Sequence, residues 1–146
     1  MIKGIDFVGV SVVYFCHDGK GNFIMGKRSK NARDEHGRWD IGGGGVERED
    51  TVQETLEKEI MEEYCTEVIE AEFLGFRDII REHEGKKTHW VTLDYKVLIN
   101  PQTVKNGEPH KMDDVKWFTK ETLPLDIENH SQWPVFLKKY KNHLWK

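Results

Sequence analysis

The stretch from Gly42 to Glu63, GGGGVEREDTVQETLEKEIMEE, constrains this chain more than any other. Four glycines lead into an acidic turn, and the turn leads into a segment with helical periodicity. From Glu47 to Glu63 there are eight acids (Glu47, Glu49, Asp50, Glu54, Glu57, Glu59, Glu62, Glu63) and two bases (Arg48, Lys58). Thr51 and Glu54 have the spacing of a capping box, which predicts a helix beginning near Thr51. Asp50 and Glu54 suit the positive end of its dipole. Val52, Leu56 and Ile60 recur every four residues and predict one core-facing stripe. On a wheel of about 100° per residue, Glu63 falls inside that apolar sector. Glu59 and Glu62 fall along its edge.

Carboxylates pressed against a core are costly unless neutralised or paired. Glu59, Glu62 and Glu63 also repel one another at helical spacing. One helical lysine does not offset three acids, whereas a bound divalent cation does. Mg²⁺ or Mn²⁺ takes carboxylate oxygens and waters and commonly shares its coordination with a substrate phosphate. Glycines permit close backbone approach to such a group. A solvated acidic helix behind a flexible loop is the simpler alternative, but it leaves Glu63 within the apolar stripe unexplained. A P-loop fits poorly, because no Gly-Lys-Ser/Thr follows the glycines.

The stretch resembles the Nudix box, G-x5-E-x7-R-E-U-x-E-E-x-G-U, with U aliphatic. Gly44 takes the first glycine, Asp50 the first glutamate and Lys58 the arginine, and Glu59, Ile60, Glu62 and Glu63 follow in register. Gly37, Trp39, Ile41, Gly43, Val46 and Glu47 match the residues that often precede the box, with Gly42 where proline is usual. Asp50 keeps the charge on a shorter side chain. Lys58 keeps a cation but lacks the planar fork that would orient Glu59. Cys65 stands in place of the glycine that would end the helix in a left-handed conformation, and Thr66 in place of the last aliphatic residue.

The resemblance implies an α+β fold, a mixed β-sheet sandwiched between helices, in one domain spanning residues 1–146. It implies a hydrolase that cleaves a nucleoside diphosphate linked to another moiety. The segment from Glu108 to Pro124 is weakly similar to the branch that cleaves nucleoside triphosphates. Glu59, Glu62 and Glu63, with the Gly44 carbonyl, are then the expected ligands of Mg²⁺ or Mn²⁺. Glu59 and Glu62 are both candidates for the catalytic base, with Lys58 orienting Glu59. In some relatives the base lies on a later loop, and Glu82, Glu84, Glu108, Asp113 and Asp114 are the acids available there. Arg28 and Lys27, at the end of a strand, are expected to reach substrate phosphates, with Arg38 and Gly43 nearby. Trp39 is expected to be core packing and His36 to be exposed. Nucleotide sugars, ADP-ribose and dinucleoside polyphosphates are alternative substrates, and a non-catalytic nucleotide-binding module is the alternative of another class. The oligomeric state, monomer or homodimer, stays open.

The remainder of the chain agrees with a globular enzyme. Its 146 residues suffice for a real core. A net charge of −4 argues against nonspecific nucleic-acid binding. Cys16 and Cys65 lack metal spacing and read as reduced thiols of a cytoplasmic protein. The longest uncharged apolar run, Phe7 to Cys16, is too short to span a bilayer. Asp6–Phe15 and Phe23–Arg28 are predicted as a β-hairpin, and Ser29–Gly37 as a loop. Val68–Ile80 and Thr88–Ile99 are predicted as paired strands around a turn at Arg81–Lys87. Pro101–Asp114 reads as a loop, Val115–Phe118 as a short strand, and a terminal helix is predicted to be capped by Ser131.

Overall fold

The computed structural model describes residues 1–145, with the backbone alone at residue 83. The element order is β1 (Gly9–His17), β2 (Phe23–Arg28), β3 (Trp39–Asp40), β4 (Gly43–Gly45), α1 (Val52–Tyr64), β5 (Val68–His83), β6 (Lys86–Ile99), β7 (Met112–Phe118) and α2 (Trp133–Leu144). Among the described residues the strands form one seven-stranded mixed sheet in the order β3-β2-β1-β6-β5. Off this path, β4 pairs with β1 and β7 with β2.

Strand β1 is the centre of the sheet, and its apolar run is long because both of its faces are covered. Val12, Tyr14 and Cys16 point to one side and join Leu56, Ile60 and Tyr64 of α1 in one core. Phe15 points to the other side, where Phe23 and Met25 of β2 meet Trp133, Phe136, Tyr140 and Leu144 of α2. The sheet is thus sandwiched between helices, as expected. No described helix is long and apolar enough to cross a membrane.

The β1–β2 hairpin closes only at His17 opposite Phe23. Above that pair the two strands diverge. One edge of β1 runs parallel to β6 over its whole length, and its other edge takes the glycine strand β4, with Val12 opposite Gly44. A nearly side-chain-free strand is what fits into the opening.

The β5–β6 hairpin is longer than predicted. Its strands continue to His83 opposite Lys86, and the turn is only Glu84-Gly85. Both turn residues have positive φ, 51° and 77°, the arrangement that suits a two-residue hairpin. The pairing of β5 with β6 is interrupted by a bulge between Phe73 and Gly75. The last strand begins at Met112, earlier than predicted, because residues 112–118 pair with β2.

Ser131 does not cap α2. The His130 ring does, its Nδ1 accepting from the Gln132 and Trp133 amides at 2.9 and 3.0 Å. Helix α1 does begin with the predicted capping box: Thr51 Oγ1 accepts from the Glu54 amide at 3.1 Å, and the Glu54 carboxylate accepts from the Thr51 amide at 3.4 Å.

Candidate active site

A cleft of about 710 Å³ opens where β1 and β2 diverge. The glycine strand and α1 form one end of it. Residues of β5 and β6, the loop after β2 and the start of α2 form the other.

At the first end, backbone and carboxylates are in close contact. Gly42 has φ +110°, and a Cβ there would fall 2.7 Å from Glu63 Oε2. A Cβ on Gly44 would fall 2.5 Å from the Glu59 carboxyl carbon. Gly42 is required by its left-handed φ, and a side chain at Gly44 would displace the Glu59 carboxylate. The Tyr64 hydroxyl donates to the Ile41 carbonyl at 2.7 Å and ties the end of the helix to the loop.

Cys65 ends α1 without the usual glycine. It adopts the left-handed conformation itself, φ 57° and ψ 33°, with its amide donating to the Met61 carbonyl. The next carbonyls are met from outside the helix. The Lys105 amide donates to Tyr64 at 3.1 Å and the Gly107 amide to Glu63 at 2.9 Å. This loop satisfies the helix end, so the missing glycine does not displace the acidic face.

The three glutamates differ in environment. Glu63 is 9% exposed, Glu59 is half-buried and Glu62 is exposed. Burial pushes the Glu63 carboxyl well above the usual range, and the nearby acids Glu108, Glu59 and Asp40 push the same way. Burial and the Glu62 charge raise Glu59. Among the described residues none of the three carboxylates has an ion pair. No three His, Cys, Asp or Glu side chains there converge into a ready metal cage. This donor set still fits a hard divalent cation, which keeps several waters and takes only a few protein carboxylates alongside substrate phosphates. A buried carboxylate with raised proton affinity and no protein cation beside it is the feature such an ion would neutralise.

The cleft brings together Arg28, Gly43, Gly44, Glu59, Glu62 and Glu63. It does not include Lys27, Arg38 or Lys58. Lys27 lies on the other face of β2 from Gly26 and Arg28, both of which line the cleft. Arg38 pairs with Glu35 at 3.5 Å. Lys58 is exposed and acts on Glu59 only through its charge, which opposes the rise in the Glu59 pKa. Of the acids considered on later loops, Glu108 lines the cleft, and Glu82, Glu84, Asp113 and Asp114 do not. Trp39 packs edge-on against Phe118 at 5.1 Å, and His36 is exposed.

At the other end Arg28 meets residues that no local motif marks. The Arg28 guanidinium donates to Asp34 at 3.1 Å and lies 3.7 Å from Asp40. Asp34 also holds Arg81 at 3.2 Å. Asp40 is held down at about 2: burial opposes this, but the His130 ring at 3.4 Å and Arg28 outweigh it. Arg77 grips fully buried Asp94 with two bonds of 2.7 and 3.0 Å, and Tyr140 donates to the same carboxylate at 2.6 Å. These residues come from β2, β3, β5, β6, α2 and the segments after β2 and before α2. The only signal in the sequence was charge inside otherwise apolar strands, as at Arg77 and Asp94.

Comparison with known proteins agrees with this geometry. The NUDIX domain family model matches residues 7–138. The chain is 28% identical over 115 residues to the nucleoside triphosphatase NudI of Enterobacter sp. (strain 638), covering 73% of this chain and 80% of that protein. Its fold is similar to the crystal structure of a MutT NUDIX hydrolase from Burkholderia pseudomallei. That match has a TM-score of 0.77 and 23% identity and covers 91% of this chain and 98% of the other. A MutT protein from Methanosarcina mazei Go1 matches with a TM-score of 0.66 at 19% identity, over 94% of this chain and 92% of that one. With the family model spanning most of its length, and with the glycine strand packed against an acidic helix, this chain belongs to the Nudix hydrolase family, whose members act on nucleotide derivatives and use divalent metal ions.

Proposed function

We propose that this protein is a Mg²⁺-dependent pyrophosphohydrolase that converts a nucleoside triphosphate to the monophosphate and pyrophosphate. The observation that carries the reading is the Glu63 carboxylate, buried against Gly42 without a basic partner among the described residues, beside Glu59 and Glu62 at one end of a cleft. Similarity to a nucleoside triphosphatase favours triphosphates as the substrate.

A polyphosphate is strongly anionic and water is a poor nucleophile at neutral pH. A divalent ion supplies charge neutralisation and a more acidic bound water. Glu63, Glu62 and the Gly44 carbonyl are the residues that would hold it. Glu59 lies half-buried against Gly44 at the lining of the cleft, where it is placed to take the proton from the attacking water. Arg28 points into the cleft from β2. A phosphate oxygen entering there competes with Asp34 and Asp40 for its guanidinium, which is shaped for bidentate oxyanion binding.

The test is phosphate release, coupled through inorganic pyrophosphatase for nucleoside triphosphates and through a phosphatase for nucleotide sugars, ADP-ribose and dinucleoside polyphosphates. It is run with and without Mg²⁺. Metal-dependent release of pyrophosphate from a triphosphate is the expected result. Turnover confined to another group of the panel would replace the substrate, and inactivity throughout would remove the enzymatic reading.

A further inference from the structure

Trp90 is packed unlike the other aromatic residues of the sheet. It lies on β6 and borders the cleft, half-buried. Its ring rests on glycine backbone. A Cβ on Gly4 would fall 2.3 Å from the indole Nε1, and one on Gly9 would fall 2.6 Å from Cε3. Gly45, next to the residue that touches Glu59, would place a Cβ 3.7 Å from the same ring. Gly4 and Gly9 therefore leave space for the indole at the wall of the cleft, and Gly45 lies in ordinary contact with it.

The ring also carries a planar cation. The Arg33 guanidinium carbon, on the loop after β2, stands over the indole at 5.9 Å from its centroid. Arg33 is exposed and has no ion pair among the described residues, so weak cation–π attraction is what the structure shows holding it there. A flat group of similar size can replace the guanidinium over the ring at little cost.

From this arrangement we propose that Trp90 is the stacking platform for the nucleobase, in the position that Arg33 covers here. Arg33, once displaced, is free for the phosphates. The inference rests on the nucleotide reading above and adds to it the residue that recognises the base. Stacking on an aromatic side chain suits every base, because each has a π-face. The platform therefore confers preference for a nucleoside over a bare polyphosphate, and the selection among bases falls to the polar groups around it.

The experiment measures binding by calorimetry, with the full chain and Mg²⁺, for a non-hydrolysable nucleoside triphosphate and for inorganic tripolyphosphate. Base stacking contributes about 1–3 kcal/mol. Trp90→Ala should therefore raise the nucleotide Kd roughly 5- to 150-fold and change the tripolyphosphate Kd by less than about twofold. Trp90→Phe should recover most of the loss, and far-UV circular dichroism should confirm that both variants are folded. Unchanged nucleotide affinity would overturn the proposal. An equal loss for both ligands, or loss of fold in both variants, would make Trp90 a packing residue and overturn it as well. Wild-type protein that holds tripolyphosphate as tightly as nucleotide would also overturn it, leaving pyrophosphohydrolysis of another substrate intact. A Trp90-dependent nucleotide affinity without turnover would uphold the platform and remove the catalytic reading. Wild-type protein that binds neither ligand would remove both.

Discussion

Glu63 shows how a single residue can be shaped for a partner the chain does not itself provide. Its carboxyl is buried, and burial with the surrounding acids raises its proton affinity above the ordinary 4.5. A group that binds its proton more tightly when folded lowers stability as pH rises above its unfolded value. In metal-free protein, Glu63→Gln removes that penalty. The Tm of the variant should exceed that of wild type by a margin that grows from pH 5 to pH 8, readable by calorimetry. Mg²⁺ should raise the Tm of wild type, because a ligand of the folded state stabilises it, and should leave the variant nearly unmoved. A Gln variant that keeps full activity and the metal response would remove Glu63 from the site. Lys58 gives a second test. Its ammonium is exposed and influences Glu59 by charge alone. Lys58→Arg should give equal or higher kcat by adding a planar fork, and a severe loss would mean that the lysine has a separate role.

Among the elements, the glycine strand β4 and helix α1 form one unit. The strand is bound to β1, the helix packs on both, and the contact is close enough that Gly44 has no space for a methyl group. In Gly44→Ala the Glu59 carboxylate or the strand has to move. A misplacement on the order of 1 Å can cost about 100-fold in rate. We therefore expect kcat to fall by at least about tenfold with the fold retained, checked by steady-state kinetics beside circular dichroism. Retained activity would mean that Glu59 works from another position. Most of this unit was legible in the sequence. The capping box, the Val52–Leu56–Ile60 stripe and the acids at its edge are local patterns with a fixed helical period, and a helix presents them wherever it is placed. The helix end was not legible. Cys65 stands there in place of the usual glycine, and the Lys105 and Gly107 amides satisfy the last carbonyls from a loop about forty residues on.

For the whole molecule, the sheet is held to α2 by a buried polar network as well as by its apolar core. Arg77, Asp94, Thr92 and Tyr140 satisfy one another, and Arg77 also reaches Gln132. Removing one partner of a buried ion pair costs about 3–5 kcal/mol, because the remaining charge stays buried. Arg77→Ala should lower Tm by roughly 10 °C in a domain of this size, measured by thermal unfolding. A shift within a degree or two would show that Asp94 finds another partner or takes a proton.

The sequence by itself determined the acidic helix, its cap, the glycines before it and the paired strands, because each follows from short-range periodicity and backbone sterics. It also placed Glu63 in the apolar stripe, which only a helical period is needed to see. The tertiary structure decided the rest. It opened the β1–β2 hairpin to admit β4, left Lys27 facing away from the cleft that Arg28 enters, and set His130 rather than Ser131 at the start of α2. It also brought Asp34, Asp40, Arg81 and Trp90 to one cleft from four separate segments. Such meetings depend on strand order and register across the sheet, and no local pattern in the chain encodes those.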